Sequence, residues 1–295
     1  MKQLRNIIVL GSNGQLGKEF FSNNEFNLQF NVHYFDKSSL DITDNNVLES
    51  ALNKINPWAV INCAAYTKVD NAESEKGLAI KINSDAVKNL AVLSKKKDFI
   101  IIHFSTDYVF NGKSIKPINE NEYKDPVNFY GTTKYLGEKN VIESAKKFFI
   151  FRVSWVYSHF GKNFPKTIIK LSKEKESLKI VDDQVGVPTP TSLIVDTVIK
   201  VLTSVELSHK FGIYNISPSG QTTWFEIASL IHENFKENKK NKLNHISPVS
   251  SKDFKTDAKR PSYSVLDNNK VQNSFEIIFK DWKEYFLDYL NEVRY

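Results

Sequence analysis

A glycine-rich turn between a short apolar run and a helical stretch constrains the fold more than any other feature. The apolar run is Asn6–Leu10, and the turn places Gly11, Gly14 and Gly17 in the spacing G-x-x-G-x-x-G. Glycine permits a tight turn, lets backbone N–H groups approach a pyrophosphate, and allows a helix to pack closely on a strand. The following helix N-terminus would present unpaired N–H groups and a partial positive charge to the phosphates. The turn therefore predicts a dinucleotide site, with an ordinary strand–helix turn as the alternative.

Apolar runs and amphipathic stretches alternate over the first 155 residues. The apolar runs, which we interpret as strands, are Asn6–Leu10, Asn31–Phe35, Ala59–Asn62, Phe99–Phe104 and Phe148–Val153. The amphipathic stretches between them include Asn45–Ile55, Gly77–Leu93 and Tyr130–Ala145. Such alternation is typical of βαβ units. We therefore expect an α/β fold with a Rossmann-type doubly wound parallel sheet.

The second half of the chain is less regular and richer in loops. Its predicted helices are Phe164–Lys175, Pro190–Val205, Trp224–Lys236 and Phe279–Val293, separated by loops that contain proline and serine. We expect residues 1–155 to form an NAD(P)-binding Rossmann domain. Residues 156–295 would mainly form a smaller C-terminal substrate-binding domain, with segments around residues 185–205 returning to pack on the Rossmann sheet.

The composition is that of an ordinary globular protein. Of 295 residues, 41% are hydrophobic and 25% are charged, which excludes general disorder. The lone cysteine, Cys63, excludes an internal disulfide, and no Cys/His cluster has the spacing of zinc ligands. No apolar run approaches the roughly 18 residues of a membrane span, and the start of the chain lacks the pattern of a signal peptide. We expect a cytoplasmic protein without a membrane partner.

The net charge of +6 raises the question of a nucleic-acid partner. Nearly all of the positive charge is carried by lysine, whereas arginine is the usual reader of bases and clamp of phosphates. The lysines are scattered, and their densest clusters, around residues 95–97 and 239–242, are typical of solvated helix ends. We therefore expect no nucleic-acid partner.

A carboxylate follows the second predicted strand. Asp36 lies about 20 residues beyond the glycine turn, where a ribose-binding acid is expected. An acid there favours an adenosine ribose without a 2′-phosphate. The neighbouring Lys37, Ser38 and Ser39 could nevertheless accept such a phosphate, so the sequence predicts NADPH or NADH as cofactor without choosing between them.

Two further groups of residues carry the chemistry. Ser105, Thr106 and Asp107 follow the fourth predicted strand, and ligands bind beyond the carboxyl ends of strands in open α/β sheets. Tyr130 and Lys134 form a Tyr-x-x-x-Lys pair that lies on one face of a predicted helix. Such a pair also occurs on protein surfaces by chance, but its position after a nucleotide loop and a Ser-Thr-Asp run favours a catalytic role.

The spacing of Tyr130 and Lys134 has a chemical reason. A free tyrosine has a pKa near 10 and is a poor acid or base at neutral pH. An adjacent ammonium is expected to lower that pKa, which lets the tyrosine pass a proton to a carbonyl oxygen as hydride arrives at the carbon. Thr106 could hold the reacting oxygen. His103 has no nucleophilic partner in a recognisable motif, and we interpret it and the other histidines as structural.

These motifs resemble those of the dTDP-4-dehydrorhamnose reductases, which are extended short-chain dehydrogenases/reductases, over nearly the whole chain. The resemblance is carried by the segments 11–17, 62–73, 105–112, 130–138, 152–157, 183–189 and 260–267. Sugar-nucleotide epimerases share the first part of this pattern. The Ser-Thr-Asp-Tyr-Val-Phe run from Ser105, the Asp-Gln-Val-Gly-Val-Pro-Thr run from Asp183 and the late Arg260-Pro261 are more particular to the reductases.

The resemblance implies roles for individual residues. Tyr130 would be the proton donor, Lys134 its partner and Thr106 the hydroxyl that tunes the site. The implied cofactor contacts are Gly14, Gln15 and Leu16 at the pyrophosphate, Asp41 and Ile42 beside the adenine, and Ala65, Tyr66 and Thr67 along the nicotinamide half. The implied sugar contacts are Thr106, Asp107 and Trp155.

Three positions leave alternatives open. Trp155 follows an apolar strand and could instead belong to the core. We assign Arg260 to the substrate diphosphate because it is an arginine in a polar loop, with a surface ion pair as the alternative. Some dimers of the family are bridged by magnesium through glutamates, and Glu19 matches one of these, but Ser192 stands where another is expected. We expect no metal, and a monomer or homodimer.

The function that the resemblance implies is the NAD(P)H-dependent reduction of the C4 ketone of dTDP-4-dehydro-L-rhamnose to dTDP-L-rhamnose. One alternative is a regulatory subunit that binds NADP, similar to the beta subunit of methionine adenosyltransferase. Another is a nucleotide-sugar epimerase or 4,6-dehydratase. A dehydratase would carry Asp-Glu after the threonine, whereas this chain has Asp107-Tyr108.

Overall fold

A six-stranded parallel sheet forms the centre of the computed structural model, which describes residues 3–293 and 295. Its strands are β1 (Asn6–Leu10), β2 (Asn31–Phe35), β3 (Ala59–Asn62), β4 (Ile100–Thr106), β5 (Phe148–Val153) and β10 (Gly212–Ile216). Their order across the sheet is β2-β1-β3-β4-β5-β10, and each neighbouring pair is parallel. The order reverses direction between β1 and β3, so their carboxyl ends open a crevice for a ligand. The predicted doubly wound α/β fold is confirmed.

Four of the five predicted strands have the bounds that the sequence predicts. The fourth runs from Ile100 to Thr106, and its extension brings Ser105 and Thr106 into the strand itself. The sixth strand, β10, is missing from the sequence prediction. Its pattern is interrupted by the buried polar Asn215, whose amide donates to the carbonyl oxygens of Ile118 (2.9 Å) and Asp267 (3.0 Å).

Helices cover both faces of the sheet in the first half of the chain. They are α1 (Gln15–Ser22), α2 (Asn24–Gln29), α3 (Asn45–Ile55), α4 (Lys76–Ile80), α5 (Ala86–Lys97) and α6 (Phe129–Ser144). The single helix predicted over residues 77–93 is divided, because a π-helical turn at Lys81–Asp85 joins α4 to α5. Short 3₁₀ turns lie at Asn71–Glu73 and Asp107–Val109.

The second half of the chain adds a smaller group of elements beside the carboxyl edge of the sheet. Its helices are α7 (Phe164–Ser172), α8 (Thr191–Thr203), α9 (Trp224–Phe235), α10 (Asn269–Phe275) and α11 (Trp282–Glu292), with a 3₁₀ turn at Leu207–Lys210. Its short strands pair as β6 (Val156–Tyr157) with β9 (Thr189–Pro190), β7 (Ser177–Val181) with β12 (His245–Val249), and β8 (Val185–Gly186) with β11 (Thr222–Thr223).

Two apolar layers sandwich the sheet, and a third core lies in the second half. One layer includes Leu48 of α3 and Leu90 of α5, and the other includes Phe20 of α1 and Val198 of α8. The third core packs α7, α9 and α11 around residues such as Ile231. Helix α8 thus shares a core with the sheet, while the division of the chain at residue 155 stays a prediction. Within residues 3–293 and 295, no helix is long and apolar enough to cross a membrane.

A buried ion pair fixes α6 against the sheet. Arg152 of β5 donates to both carboxylate oxygens of Glu138, from Nε at 2.9 Å and from its terminal nitrogen at 2.7 Å. A further N–H of Arg152 donates to the carbonyl oxygen of Glu120 at 3.0 Å. Both ionic side chains are buried, so each charge is compensated by the oppositely charged partner and its hydrogen bonds, and not by water. The pair sets the position of the helix that carries Tyr130 and Lys134.

Candidate active site

The glycine turn after β1 is packed too closely to accept side chains at two positions. Gly11 has φ +78°, and a Cβ atom there would lie 2.6 Å from the backbone nitrogen of Ala64. At Gly17, a Cβ atom would lie 2.6 Å from the Cα of Ser12 and still closer to the carbonyl oxygen of Gly11. The turn is held by the Gly14 N–H, which donates to the Gly11 carbonyl at 3.0 Å. These contacts bring the N-terminus of α1 against the ends of β1 and β3.

Gln15 and Leu16, the other predicted residues of the turn, have side chains that face the protein. The Gln15 amide donates to the carbonyl oxygen of Val156 at 3.1 Å and accepts from the amide of Asn163 at 2.7 Å. Leu16 packs against the apolar layer that includes Phe20 and Val198. Backbone N–H groups at the start of α1 are therefore what this turn offers to a pyrophosphate.

A cleft of about 290 Å³ opens beside the turn and contains many of the predicted cofactor residues. Those lining it are Gly11, Gly14, Asp36, Asp41, Ile42 and Ala65. Sequence reasoning missed Leu78 and Lys81, which lie across the cleft and add an apolar contact and a positive charge. Leu78 lies in α4 and Lys81 in the π-helical turn that follows it. Their position beside the cleft depends on tertiary packing, which the sequence pattern does not show.

Asp36 is fixed by its own loop. Its carboxylate accepts hydrogen bonds from the backbone N–H and the hydroxyl of both Ser38 (3.0 and 2.7 Å) and Ser39 (both 2.9 Å), and from the amide of Asn13. The bonds from Ser38 and Ser39 lower the pKa of Asp36 to about 2. The group is therefore a charged acceptor at neutral pH, and the serines that could have met a 2′-phosphate are turned towards it.

Thr106 and Asp107 form a buried hydrogen-bonded pair at the end of β4. The Thr106 hydroxyl donates to one oxygen of Asp107 at 2.9 Å and accepts from the Tyr108 N–H at 3.2 Å. Within the part of the chain that the structure describes, the second carboxylate oxygen of Asp107 is buried without a hydrogen-bond partner. Burial raises the pKa of Asp107 to about 7, so this group changes its charge near neutral pH.

Tyr130 lies over the turn that follows β4. Its ring meets the ring of Tyr108 edge to face, with centroids 5.9 Å apart. Helix α6 approaches this turn so closely that a Cβ atom at Gly131 would collide with the Tyr108 carbonyl oxygen. Burial, and then the negative charge of Asp107, raise the pKa of Tyr130 above its usual 10, while a hydrogen bond with Thr106 opposes this rise.

Lys134 has a different partner from the one that the sequence predicts. Its Nζ donates to the carbonyl oxygen of Phe104 at 2.6 Å and lies 3.5 Å from Nε2 of His103. Burial lowers the pKa of Lys134 to about 8. Burial dominates at Tyr130 and the Lys134 ammonium is bonded to the strand, so the lowering of the Tyr130 pKa by Lys134 stays a prediction.

Asn83 is a site residue that sequence reasoning missed. It lies in the π-helical turn, where its amide exchanges hydrogen bonds with the backbone N–H (2.8 Å) and carbonyl (3.0 Å) of Tyr66. The same amide donates to the Thr133 hydroxyl at 3.0 Å. Asn83 thus ties the loop of Ala65, Tyr66 and Thr67 to the helix of Tyr130. A polar residue on the buried face of an amphipathic stretch was the available signal.

Trp155 stands where the chain leaves the sheet. It has φ +46° and stacks on Trp224, with ring centroids 3.6 Å apart and planes 15° from parallel. A Cβ atom at Gly186 would lie 2.5 Å from the Trp155 ring, so the glycine makes room for it. The indole is half-buried between β8 and α9 and belongs to the edge of the third core.

Arg260 and Glu19 both have protein partners. The Arg260 guanidinium donates to the two oxygens of Asp70 at 3.2 and 2.8 Å, which is the ion pair that the sequence left as the alternative. Glu19 accepts from the hydroxyls of Thr191 and Ser158. Over the described residues, no group of three or more His, Cys, Asp or Glu side chains is arranged to hold a metal ion.

The site fits a nicotinamide dinucleotide on several counts. The glycine turn forms a cradle that Cβ atoms would fill, and it borders a cleft that ends in a charged acceptor, Asp36. Further along the same edge, the hydroxyl of Ser105 is buried and has no hydrogen-bond partner among residues 3–293 and 295. Buried polar atoms of this kind are expected where a ligand completes the site.

Comparison with known proteins gives consistent results along the whole chain. A family model described as the RmlD substrate binding domain matches residues 5–295. The chain is 36% identical to a dTDP-4-dehydrorhamnose reductase of Escherichia coli K12, covering 98% of each chain. It is 35% identical to the spore coat polysaccharide biosynthesis protein SpsK of Bacillus subtilis, covering 97% of each. Among solved structures, dTDP-4-dehydrorhamnose reductase of Bacillus anthracis in complex with NADP superposes with a TM-score of 0.90 at 36% identity, over 99% of this chain and 100% of that one.

Proposed function

This chain belongs to the family of dTDP-4-dehydrorhamnose reductases, and from that membership we propose that it reduces the C4 ketone of dTDP-4-dehydro-L-rhamnose to dTDP-L-rhamnose. The reductant is NADPH or NADH. The observation that carries the proposal is that two pairs of residues lie next to each other. Tyr130 and Lys134 on α6 pack against the end of β4, where Thr106 and Asp107 lie. These groups lie at the same edge of the sheet as the glycine turn, so a proton donor and a dinucleotide site face one crevice.

We assign the cofactor to the residues around that crevice. The bound nicotinamide supplies a hydride to the substrate carbon. Backbone groups of Gly11, Gly14, Gln15, Leu16 and Gly17 would hold the pyrophosphate. Asp36 would accept from the adenosine ribose, with Asp41 and Ile42 beside the adenine and Ala65, Tyr66 and Thr67 along the nicotinamide half.

Tyr130 acts as the general acid in this proposal. A reduction needs a proton for the oxygen that becomes an alkoxide, and a tyrosine whose pKa is raised keeps its proton at neutral pH. Lys134, one helical turn further along α6, places a positive charge close to the phenol as it becomes negative. Thr106 positions the reacting oxygen by donating its hydroxyl proton to it, which requires that this proton turn from the Asp107 carboxylate towards the substrate.

The nucleotide sugar occupies the mouth between the sheet and the second half of the chain in this proposal. Asp107 and Trp155 contact the deoxysugar, and Arg260 binds the diphosphate. Arg260 donates two hydrogen bonds to Asp70 and one to the Ala258 carbonyl oxygen at 3.1 Å, and a guanidinium with five N–H groups can bind phosphate oxygens as well. Residues 1–155 would thus serve the cofactor and residues 156–295 mainly the substrate. We propose that the protein is cytoplasmic, since the free thiol of Cys63 suits a reducing compartment. We also propose that it is a monomer or homodimer and uses no metal.

The test is an oxidation assay with both reduced cofactors on enzymatically generated dTDP-4-dehydro-L-rhamnose, followed by identification of the product. Tyr130→Phe removes the proton donor and should lower kcat by about 100-fold or more. Tyr135→Phe, on the same helix, makes the same chemical change away from the site and should retain most of the rate. The proposal fails if neither cofactor is oxidised, or if both variants behave alike.

A further inference from the structure

His103 is buried beside Lys134. It is 1% exposed in the middle of β4, and its two ring nitrogens face two different groups. Nδ1 lies 3.3 Å from the amide nitrogen of Asn62 on β3, and Nε2 lies 3.5 Å from Nζ of Lys134 on α6. Gly137 of α6 lies beside this ring, because a Cβ atom there would be in ordinary contact with Nε2 at 3.5 Å.

The position of the ring proton follows from the backbone. The Ala64 N–H donates to Oδ1 of Asn62 at 3.2 Å, which fixes the orientation of the Asn62 amide. The amide nitrogen must then face His103, and it donates to Nδ1. An imidazole that accepts at Nδ1 carries its hydrogen on Nε2 when it is neutral. His103 is neutral, because burial and next the charge of Lys134 hold its pKa well below 6.5.

The N–H of His103 therefore points at a lysine that is itself a donor. Lys134 already donates to the Phe104 carbonyl at 2.6 Å. Its ammonium has no lone pair and therefore cannot accept a hydrogen bond from the His103 N–H, 3.5 Å away. A neutral amine at this position would have a lone pair for the His103 N–H. The other ionisable groups near Lys134 are Tyr130 and Glu138 on its own helix, and the charge of Glu138 is engaged by Arg152 of β5.

We propose that His103 is a positioning residue for the reduction: held by Asn62 in the Nε2–H tautomer, it destabilises the Lys134 ammonium and so sets the upper pH limit of activity. The effect on activity rests on the proposed function, whereas the tautomer of His103 and the charge of Lys134 do not depend on it. Burial already lowers the pKa of Lys134 to about 8 against the opposing charge of Glu138, and the effect proposed for His103 would add to that of burial.

The first measurement is the tautomer in the unmodified protein. Two-bond ¹H–¹⁵N NMR spectra distinguish Nε2–H, Nδ1–H and imidazolium forms, and His103 is assigned as the signal lost in His103→Phe. We expect the Nε2–H form from pH 6 to 9. The Nδ1–H form or an imidazolium would overturn the proposal. Because no substrate or cofactor is present, this result is independent of whether the proposed reaction occurs.

The second measurement is the titration of Lys134 itself, followed by NMR of ¹³Cε-labelled lysine and assigned with Lys134→Met. In His103→Phe the ring remains but its N–H is lost, so the titration midpoint should rise by about 0.5 pH unit or more. The alkaline limb of kcat should move upward with it. His232→Phe, the same change on α9, should leave the midpoint in place. An unchanged or lowered midpoint in His103→Phe would overturn the proposal, and if that variant fails to fold, the tautomer alone decides.

Discussion

The guanidinium of Arg260 forks onto the carboxylate of Asp70, with N···O distances of 3.2 and 2.8 Å. The two residues are 190 positions apart, and Asp70 also accepts from the Ala258 N–H at 3.1 Å. The hydrogen bonds from Arg260 are the main reason why the pKa of Asp70 is lowered. This contact joins a loop after β3 to a late segment of the chain at the mouth of the site.

We expect Arg260→Lys to raise KM for the nucleotide sugar about tenfold, with a smaller effect on kcat. Lysine keeps the charge but cannot fork between a carboxylate and a diphosphate, and a tenfold loss corresponds to about 1.4 kcal/mol. Asp70→Asn weakens the ion pair without changing the arginine and should alter KM less than threefold. Steady-state kinetics of the two variants check this. Equal changes in KM would mean that Arg260 acts on Asp70 alone.

Replacement of Asp36 should change the choice of cofactor. Its carboxylate is charged at neutral pH and would repel a 2′-phosphate, while Lys37 beside it would attract one. In Asp36→Ala, the ratio of kcat/KM for NADPH to that for NADH should rise about tenfold or more. Asp288→Ala removes a carboxylate from the exposed side of α11 and should leave the ratio unchanged. A ratio that stays constant in Asp36→Ala would remove Asp36 from the ribose site.

A single methyl group should be tolerated very differently at two glycines. Gly17→Ala drives a Cβ atom into the backbone of Gly11 and Ser12, so the turn must move, at a cost of about 1–3 kcal/mol in unfolding free energy. Its affinity for NADPH, measured by fluorescence titration, should fall about tenfold or more. Gly77 on α4 has open space around it, and Gly77→Ala should instead stabilise the protein by about 0.4–1 kcal/mol. Equal affinity in both variants would contradict a role of the turn in binding.

The sequence predicts most of the sheet because β1, β3, β4 and β5 are buried on both faces, whereas the edge strand β2 is only half-buried. Parallel strands between two helical layers are nearly continuous apolar runs, and β1, β2, β3 and β5 are found with the predicted bounds. Strand β10 escapes this signal because Asn215 takes part in a buried network with Ile118 and Asp267, which lie far away in the sequence. Polar burial of this kind is recognisable only once its partners are in place.

In the candidate active site too, local sequence signals predict some features, whereas others depend on tertiary contacts. Spacing along one helix predicts that Tyr130 and Lys134 share a face, because helical geometry is local. The hydrogen bond from Lys134 to Phe104, the stacking of Trp155 on Trp224 and the tie from Asn83 to Tyr66 depend on tertiary contacts. Pattern and resemblance therefore predict which residues carry the chemistry, whereas their charge states follow from burial that only the fold determines.

Asp107 should make the stability of the protein fall as the pH rises from about 4 to about 7. Its pKa is 3.8 in the unfolded chain and about 7 in the folded one, so the folded state binds the extra proton between these values. A state that binds more protons is stabilised at low pH, and here the stabilisation is complete below about pH 4 and lost above about pH 7. The difference amounts to at most about 4 kcal/mol.

Asp107→Asn has no proton to lose and should remove this dependence. The free energy of unfolding of the variant, measured by urea titration, should increase relative to that of the unmodified protein from pH 4.5 to pH 7.5. Asp288→Asn, at an exposed position, should show a difference that does not change over this range. Parallel pH profiles for Asp107→Asn and the unmodified protein would mean that Asp107 is charged throughout. The carboxylate would then meet the sugar as a hydrogen-bond acceptor only, whereas a protonated Asp107 can also donate.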